Sequence, residues 1–200
     1  KDDGEMARLP DLIEFAKQHR LKIGTIADLI EYRSHNEKLI EQVARRKVQT
    51  AYGELELVTY RDKTTQRTHL ALVKGNIQPD AETLVRVHEP LSVMDFLEQA
   101  HYPHSTSVHE ALVKISRSSA GVLVFMHHGE TSEDLLARAV PAPDNHHVSR
   151  WDPRSYGIGA QILRDLNVGK MRLIATPRKL PSMTGFGLEV VGYCQAREDL

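Results

Sequence analysis

The sequence predicts an α+β fold in which helices flank a mixed β-sheet. Segments that alternate apolar and polar residues indicate strands, and they interleave with segments of 3,4 apolar spacing that indicate helices. The interleaving lacks strict β-α-β repetition, which places the chain in the α+β or mixed α/β class. Its 200 residues, 40% hydrophobic and 26% charged, suffice for one large hydrophobic core or two small ones.

The N-terminal part predicts two helices and a short strand. Residues 10–19, PDLIEFAKQH, place a proline in the first turn of a helix with an apolar stripe. Residues 21–26, LKIGTI, are typical of a short strand. A threonine can then cap a second helix over residues 26–42, because Leu39 and Ile40 continue its apolar face. The polar middle of this helix is interpreted as a linker between two domains.

The middle of the chain predicts a hairpin and then alternating helices and strands. Alternating residues indicate strands at 54–61, 68–75 and 83–88, with a charged hairpin loop between the first two. The elements that follow are a helix at 93–100, a helix at 108–115 with the stripe Val108, Ala111, Leu112 and Ile115, a buried strand at 121–128, a helix at 132–139 and a loop at 141–147.

The last third predicts one helix and two strands. In the stretch RWDPRSYGIGAQILRDL, Asp152 is placed as the N-cap and Pro153 as the first helical residue. Ile158, Ile162 and Leu166 recur every four residues and form a stripe that faces the core. The helix is followed by the strand MRLIA, the loop PRKLPSMTGFG and the final strand LEVVGYC.

The start of this helix is a candidate phosphate site. Helix N-termini attract anions, and Arg154 would add a bidentate cationic contact. Alternatively, Asp152 caps the helix with no ligand present, which stabilises it by about 1 kcal/mol. Gly157 and Gly159 each cost roughly 1 kcal/mol inside a helix, so either a ligand or a neighbouring strand is expected to approach closely there. The residues alone leave both interpretations open.

Three further groups of residues are candidates for ligand contacts. Residues 176–179 follow a strand, where α/β proteins commonly hold anions, although solvated surface charge is the alternative. Residues 86–89 have the same position and the same ambiguity. His101, His104 and His109 cluster as metal ligands do, but they lack helical i,i+4 pairing and a neighbouring cysteine. Exposed loop histidines are therefore the simpler interpretation.

Composition excludes several classes of protein. No apolar run approaches the roughly 20 residues of a transmembrane helix, and a net charge of −1 offers no field for nucleic acid, so neither partner is expected. The single cysteine, Cys194, excludes an internal disulfide and indicates a reducing compartment, so we expect a cytoplasmic protein. The first residues, KDDGEMARLPD, lack an initiator Met and a signal sequence, and are interpreted as the cut end of a fragment.

Two segments of the sequence resemble known enzyme families. DGEMARLPDLIEFAKQHRLKIGTIADLIEYR, residues 3–33, resembles the C-terminal end of 3,4-dihydroxy-2-butanone 4-phosphate synthase. RSYGIGAQILRDLNVGKMRLIATPRK, with GFGLEVV after it, resembles GTP cyclohydrolase II. In this order they resemble the bifunctional riboflavin-biosynthesis proteins. The resemblance implies a synthase tail and linker over residues 1–36 and a domain with the GTP cyclohydrolase II fold over residues 37–200.

The resemblance also implies which residues belong to a site for GTP. Asp152 and Arg154 match the family's catalytic aspartate and arginine, which act at the α-phosphate to release pyrophosphate, and they are interpreted as remnants of that pair. Arg86, Thr176 and Lys179 match family positions that contact GTP.

The metal ligands of the family are missing. The family motifs R-V-H-S-E-C and C-x-C-G supply three cysteines for the zinc that activates water. The corresponding residues here, 86–91, read R-V-H-E-P-L, and no cysteine precedes Cys194. Residues 128–131 also lack the arginine and two glycines of the family's Q-E-G-R-G-I-G loop. We therefore expect no metal and no other cofactor.

These departures lead to an expectation about function. A cyclohydrolase-like domain without ring opening is expected to act as a structural, dimerising or regulatory partner of the synthase half, with weak GTP binding. The resemblance implies a homodimer. One alternative is an active cyclohydrolase whose metal site is rebuilt from histidines and acids. The other is a GTP-binding sensor that uses Arg154 and Lys179.

Overall fold

A seven-stranded mixed sheet forms the centre of the molecule. The computed structural model describes residues 1, 3–89, 92–94, 106–127, 129–140, 153–177, 180 and 183–194. The strands are β1 (Ile40–Thr50), β2 (Gly53–Asp62), β3 (Thr68–Lys74), β4 (Glu82–His88), β5 (Gly121–Phe125), β6 (Lys170–Ile174) and β7 (Glu189–Cys194). The helices are α1 (Leu9–His19), α2 (Ile26–Asn36), α3 (Val108–Arg117), α4 (Ser132–Ala139), α5 (Pro153–Asp165) and a 3-10 helix (Thr184–Phe186). The predicted α+β class with flanking helices is confirmed.

The sheet has an antiparallel half and a parallel half. Its strand order is β1-β2-β3-β5-β4-β6-β7, with β1 at one edge. The pairs β1–β2, β2–β3 and β3–β5 are antiparallel. The pairs β5–β4, β4–β6 and β6–β7 are parallel. Because parallel strands run in the same direction, the carboxyl ends of β4, β5, β6 and β7 meet along one edge of the sheet.

Helix α5 covers one face of the sheet. Ile158, Ile162 and Leu166 are buried in a core cluster that includes Val58 and Val124 of the central strands. This confirms the stripe predicted from the four-residue spacing, and it confirms Pro153 as the first helical residue. The helix ends at Asp165, just before Asn167, whose φ of 69° lies in the left-handed region that ends helices.

Helix α3 covers the opposite face. Ser107 and Glu110 form a capping box, in which each side chain binds the backbone N–H of the other residue. The four predicted apolar residues are all buried, and they form a second core cluster together with Leu55, Leu123 and Ile174. Two helices on two faces therefore give the sheet two cores.

The short strand predicted at residues 21–26 is wrong. Helix α1 ends at His19, its C-cap Arg20 has a left-handed φ of 53°, and residues 21–25 form an irregular connection to α2. A strand needs a neighbouring strand to take its hydrogen bonds, and Leu21 and Ile23 lie exposed instead. The capping threonine is confirmed, because Thr25 and Asp28 form a capping box at the start of α2.

The helix predicted over residues 26–42 ends early. α2 stops at Asn36, and Ile40 opens β1, a strand that the sequence did not predict. Ile40 is buried in the core beneath α5 and pairs with Asp62 of β2. Leu39 and Ile40 are therefore apolar because they enter the sheet and its core, and not because they continue the face of a helix.

The predicted β2–β3 hairpin is confirmed, and Asp62 holds its loop together. The Asp62 carboxylate accepts hydrogen bonds from the backbone N–H groups of Thr64 and Thr65 and from the Thr65 hydroxyl, at 2.7 to 3.2 Å. Burial alone raises the pKa of Asp62, but these hydrogen bonds outweigh it and hold the pKa below 3.8. The ionised carboxylate is therefore part of the folded loop.

We expect the Asp62→Asn variant to lose stability by about 1–2 kcal/mol at neutral pH, because the neutral amide accepts these bonds less well. A lowered pKa in the folded state stabilises the protein above pH about 4 and this contribution disappears as the pH falls through the folded-state value. Urea denaturation at several pH values checks this. The difference between wild type and variant should shrink on acidification, and a constant difference would contradict the assignment.

The last two predicted strands are present, whereas two other predicted segments lie partly or wholly outside the described residues. The strands predicted at 171–175 and 188–194 are confirmed as β6 and β7. Residues 95–100 of the predicted helix at 93–100, and the whole loop at 141–147, lie outside the described residues. None of the helices in the described ranges has the length and apolar character needed to cross a bilayer.

Candidate functional site

The candidate site lies at the carboxyl edge of the parallel strands. β4 and β6 are direct neighbours, with Leu84 opposite Arg172 and Val85 opposite Leu173. This pairing brings Arg86, near the end of β4, next to the end of β6. Thr176 follows β6 by two residues and is exposed. Two of the five predicted site residues therefore lie at the same edge of the sheet.

Arg86 is buried and binds the backbone. Its Nη1 donates a hydrogen bond to the carbonyl of Ile174 at 2.9 Å, and its Nη2 donates to the carbonyl of Thr106 at 3.1 Å. These bonds join the end of β6 to the segment that leads into α3. The guanidinium thus supports the edge of the sheet and also places a positive charge beneath it.

His88 is the next residue on the same face of β4. Leu84 packs with the α3 cluster, and alternation along the strand places Arg86 and His88 on that face too. His88 is fully buried, and its ring meets the Phe125 ring edge-on, with centroids 6.3 Å apart. The side chain that follows the R-V motif is therefore part of the core beside α3.

The residues present do not fit the family's zinc ion. Three thiolates are needed, and the chain has one cysteine. Cys194 ends β7, two strands away from β4, and its Sγ lies 3.2 Å from the Lys114 Nζ. Among the described residues no group of three His, Cys, Asp or Glu side chains is close enough to hold a metal. The donor set of the described residues therefore does not fit a water-activating zinc ion.

The predicted histidine cluster is only partly described. His109 lies at the start of α3, where its Nδ1 shares a 2.7 Å hydrogen bond with the hydroxyl of Tyr52. His101 and His104 lie outside the described residues. The contact that the structure does give His109 is therefore a link between α3 and the β1–β2 turn.

The start of α5 carries the other predicted site residues. Arg154 lies in the first turn of the helix, but its side chain is outside the described part of the chain, as are Asp152 and Lys179. Ser155, in the same turn, is buried. The structure therefore places the backbone of the candidate phosphate site, and leaves the roles of these three side chains as predictions.

The glycines of α5 have ordinary surroundings. A Cβ added to Gly157 would meet the Phe186 ring at 3.8 Å, and one added to Gly159 would meet Val87 at 3.8 Å and Met126 at 4.0 Å. These are normal van der Waals distances. Close packing against the neighbouring strands therefore does not require glycine at either position.

We expect Gly159→Ala to raise the free energy of unfolding by about 0.5–1 kcal/mol, because alanine favours the helix and the Cβ fits. Thermal unfolding of the variant checks the sign. Gly157→Ala serves as a second test with a different neighbour and should change stability in the same direction. A destabilised Gly159→Ala variant would contradict the distances given for its surroundings.

The sequence interpretation missed a second group of residues, at the other end of α5. Gln161 and Asp165 contact residues 37–39, more than 120 residues earlier in the chain. A cleft of about 280 Å³ lies beside them, lined in part by Glu31, Arg164 and Phe186. No local pattern marks these contacts, because a glutamine and an aspartate on the polar side of a helix look like solvated surface.

Comparisons with known proteins agree with both resemblances. Residues 41–195 match the family described as GTP cyclohydrolase II, and residues 1–32 match the family described as 3,4-dihydroxy-2-butanone 4-phosphate synthase. A protein of Neisseria meningitidis serogroup B named 3,4-dihydroxy-2-butanone 4-phosphate synthase is 52% identical over 197 residues, which cover 98% of this chain and 54% of that protein.

Two further relatives have the same relation to the chain. The riboflavin biosynthesis protein RibBA of Aquifex aeolicus is 41% identical over 204 residues, covering 96% of this chain and 50% of that protein. The crystal structure of RibBX, a two domain 3,4-dihydroxy-2-butanone 4-phosphate synthase from A. baumannii, is 40% identical with a TM-score of 0.56, covering 96% of this chain and 51% of that one. The chain spans about half the length of these relatives. Because the family match extends over residues 41–195, well over half of the sequence, the chain belongs to the GTP cyclohydrolase II family.

Proposed function

We propose that the chain is the second half of a riboflavin biosynthesis protein and that its cyclohydrolase-like domain no longer opens the imidazole ring of GTP. The domain spans residues 37–200, and residues 1–36 are the end of a synthase domain with its linker. The observation that carries the proposal is the donor set at the end of β4. Residues 86–91 read R-V-H-E-P-L against the family's R-V-H-S-E-C, so a leucine stands where the family has a zinc cysteine, and the chain's one cysteine is two strands away.

The missing ligands bear directly on the chemistry. A zinc ion held by thiolates would lower the pKa of a bound water to about 7 and so supply the nucleophile that attacks the ring. No described residue replaces that group, because His88 is buried beside Phe125 and Cys194 lies beside Lys114. The protein is therefore expected to carry no metal cofactor and to lack the activated water.

The surface of α1 and α2 supports a synthase domain as the neighbour of this segment. Ten large apolar residues between Met6 and Tyr32 are exposed: Met6, Leu9, Leu12, Ile13, Phe15, Leu21, Ile23, Ile26, Leu29 and Tyr32. A segment of a folded protein rarely exposes so many large apolar side chains without a partner. Relatives of about twice the length are named as the synthase, so we assign these residues to contacts with the rest of that domain.

The role that follows for the domain is structural, dimerising or regulatory. It would support the synthase half of the same polypeptide, in a homodimer, with no nucleic acid or membrane as partner. We place the protein in the cytoplasm because a single cysteine is typical of a reducing compartment. Asp152 and Arg154 are then remnants of the catalytic pair, with Asp152 retained as a helix cap.

Metal analysis and GTP turnover on the 200-residue chain test the loss of ring opening. We expect less than stoichiometric zinc and a release of formate from GTP equal to that of a control without protein. Bound zinc at one ion per chain together with formate release would overturn the proposal and establish the alternative, an active cyclohydrolase with a rearranged metal site. Synthase activity, in contrast, must be measured on the longer protein.

A GTP-binding sensor is the second candidate, and the surroundings of α5 favour it. Gly157 and Gly159 are not required by packing against the protein, which leaves the close approach of a nucleotide to the start of α5 as a reason for them. Arg86, Thr176 and Lys179 would contact GTP, together with Arg154. Isothermal titration with GTP tests this candidate. Binding that weakens at least tenfold in Arg154→Ala supports it, and no heat from either protein removes it.

A further inference from the structure

The segment between α2 and β1 is tied to α5 by one glutamine. The Gln161 Oε1 accepts a hydrogen bond from the backbone N–H of Leu39 at 2.9 Å, and its Nε2 donates to the carbonyl of Glu37 at 3.0 Å. One side-chain amide therefore replaces, for two residues, the partners that a neighbouring strand would offer. The intervening residue, Lys38, is fixed separately.

Asp165, one helical turn later, holds Lys38. The Lys38 Nζ lies 2.6 Å from the Asp165 Oδ1, and the hydroxyl of Tyr60 donates to the Oδ2 at 2.9 Å. Tyr60 is fully buried, and burial together with this hydrogen bond raises the pKa of its hydroxyl, so that it remains a donor. The buried Tyr60 hydroxyl therefore fixes the Asp165 carboxylate, whose other oxygen binds Lys38 in the segment between α2 and β1.

The neighbouring residues continue the attachment on both sides. Before the segment, α2 packs against the 3-10 helix at Thr184–Phe186, and Arg33 binds Glu37 at 2.6 Å across the end of α2. After it, the carbonyl of Leu39 accepts from the N–H of Lys63, and Ile40 is buried. The polar stretch that the sequence marks as a linker is thus helical up to Asn36 and bound to the domain over the next three residues.

We propose that Gln161 and Asp165 form a clamp that fixes the joint between α2 and the cyclohydrolase-like domain, so that this domain sets the orientation of whatever is built on α1 and α2. The identity of that neighbour as a synthase domain rests on the proposed function. The clamp itself rests on the contacts of residues 37–39. It gives a domain without ring-opening chemistry a physical task, namely to hold its neighbour at a fixed angle.

The clamp is tested with Gln161→Leu in the 200-residue chain, which replaces the amide with an apolar group, shortens the side chain by one bond and removes both hydrogen bonds. Gln78→Leu, in the exposed β3–β4 connection, is the matched control. We expect the Leu39 amide to exchange with solvent about ten- to a hundredfold faster in Gln161→Leu, as two net hydrogen bonds imply. Amides of Val58 and Val124 in the central strands should keep their rates in both variants.

Orientation is measured by spin-label distances between cysteines placed at Tyr32 on α2 and Asp80 in the sheet connection, in a Cys194→Ser background. The distance distribution should be narrow in the parent and in Gln78→Leu, and clearly broader in Gln161→Leu. Gln161→Glu keeps the acceptor for Leu39 but loses the donor for Glu37, so the Leu39 amide should stay protected while the distance distribution broadens less than in Gln161→Leu.

Two results would overturn the clamp. One is an unchanged Leu39 exchange rate in a folded Gln161→Leu variant, and the other is a distance distribution that stays narrow. If Gln161→Leu does not fold, Gln161→Met, which keeps about the same side-chain length without the amide, decides by the same two measurements. GTP turnover of the same samples separates this proposal from the proposed function, because formate release would contradict the loss of ring opening and leave the clamp intact.

Discussion

Replacing Gly75 with alanine is expected to lower the free energy of unfolding by at least about 3 kcal/mol. Gly75 follows β3 with a φ of +72°, a conformation that costs an alanine roughly 1–2 kcal/mol. In addition, the new Cβ would lie 2.0 Å from the carbonyl oxygen of Ser119, so the backbone must move. Urea denaturation measures the loss.

Gly53→Ala is the matched control for this variant. Gly53 also has a positive φ, +98°, but a Cβ there would meet nothing within 4 Å. The control should therefore show the backbone strain without the steric contact, and lose less stability than Gly75→Ala. Equal losses in the two variants would mean that the approach of Ser119 does not constrain the fold.

The contact matters because it lies where the two halves of the sheet join. Lys74, the last residue of β3, pairs with Gly121, the first residue of β5, and Ser119 precedes that strand by two residues. β3 belongs to the antiparallel half, whereas β5 also pairs with β4 in the parallel half. A displacement at Gly75 therefore disturbs the one strand that connects the hairpin to the candidate site.

Arg86→Leu is expected to cost about 3 kcal/mol, the second large effect. The substitution removes two charge-assisted hydrogen bonds and leaves the carbonyls of Ile174 and Thr106 in a buried region without their donors. Arg172→Leu is the control, because its ion pair with Glu82 is partly exposed and such pairs contribute at most about 1 kcal/mol. Chemical denaturation of both variants gives the comparison.

The loss of stability in Arg86→Leu also shows whether Arg86 is available to contact GTP. If Arg86→Leu unfolds as readily as predicted, the arginine stabilises the edge of the sheet in the absence of nucleotide, and GTP can add only a further contact. If instead the variant is within about 0.5 kcal/mol of wild type, in the range of ordinary surface substitutions, the two backbone bonds carry little and the assignment of Arg86 to the fold is wrong.

The sequence predicts elements well where local rules and the final packing agree. α3 has a capping box, a four-residue stripe and a cluster to pack against, and its start and its buried residues are as predicted. α5 is similar, since Pro153 begins it and Ile162 lies in the core. The strands β2, β3 and β4 alternate because each has a core on one or both faces.

β1 could not be predicted in this way because little of it is buried. Beyond Ile40 its residues are mostly exposed, so packing does not require apolar and polar residues to alternate. The three consecutive cations at 45–47 also interrupt any such alternation. Its first residues instead happened to extend the spacing of α2. The strand prediction for residues 21–26 was wrong for the opposite reason: the segment has an apolar pattern, but no neighbouring strand pairs with it.

The candidate site shows the same division. The motif identified Arg86, but its partners Ile174 and Thr106 are 88 and 20 residues away, and only the parallel pairing of β4 with β6 brings the first of them close. Gln161 gave no signal at all, because its role depends on a segment 122 residues earlier. Long-range polar contacts of single side chains have no periodicity to detect.

The charged residues of β1 influence whether another strand can pair with this edge of the sheet. As the outermost described strand, 11 residues long, β1 offers a row of backbone donors and acceptors on which a further strand could assemble. Arg45, Arg46 and Lys47 occupy its middle and alternate between the two faces. Arg45 pairs with Glu56 and Lys47 with Glu54 on the neighbouring strand, so an added strand would have to pack against charged side chains, which disfavours edge-to-edge assembly of copies. Neutralising these three residues is therefore a change that would threaten the protein's colloidal behaviour more than its fold.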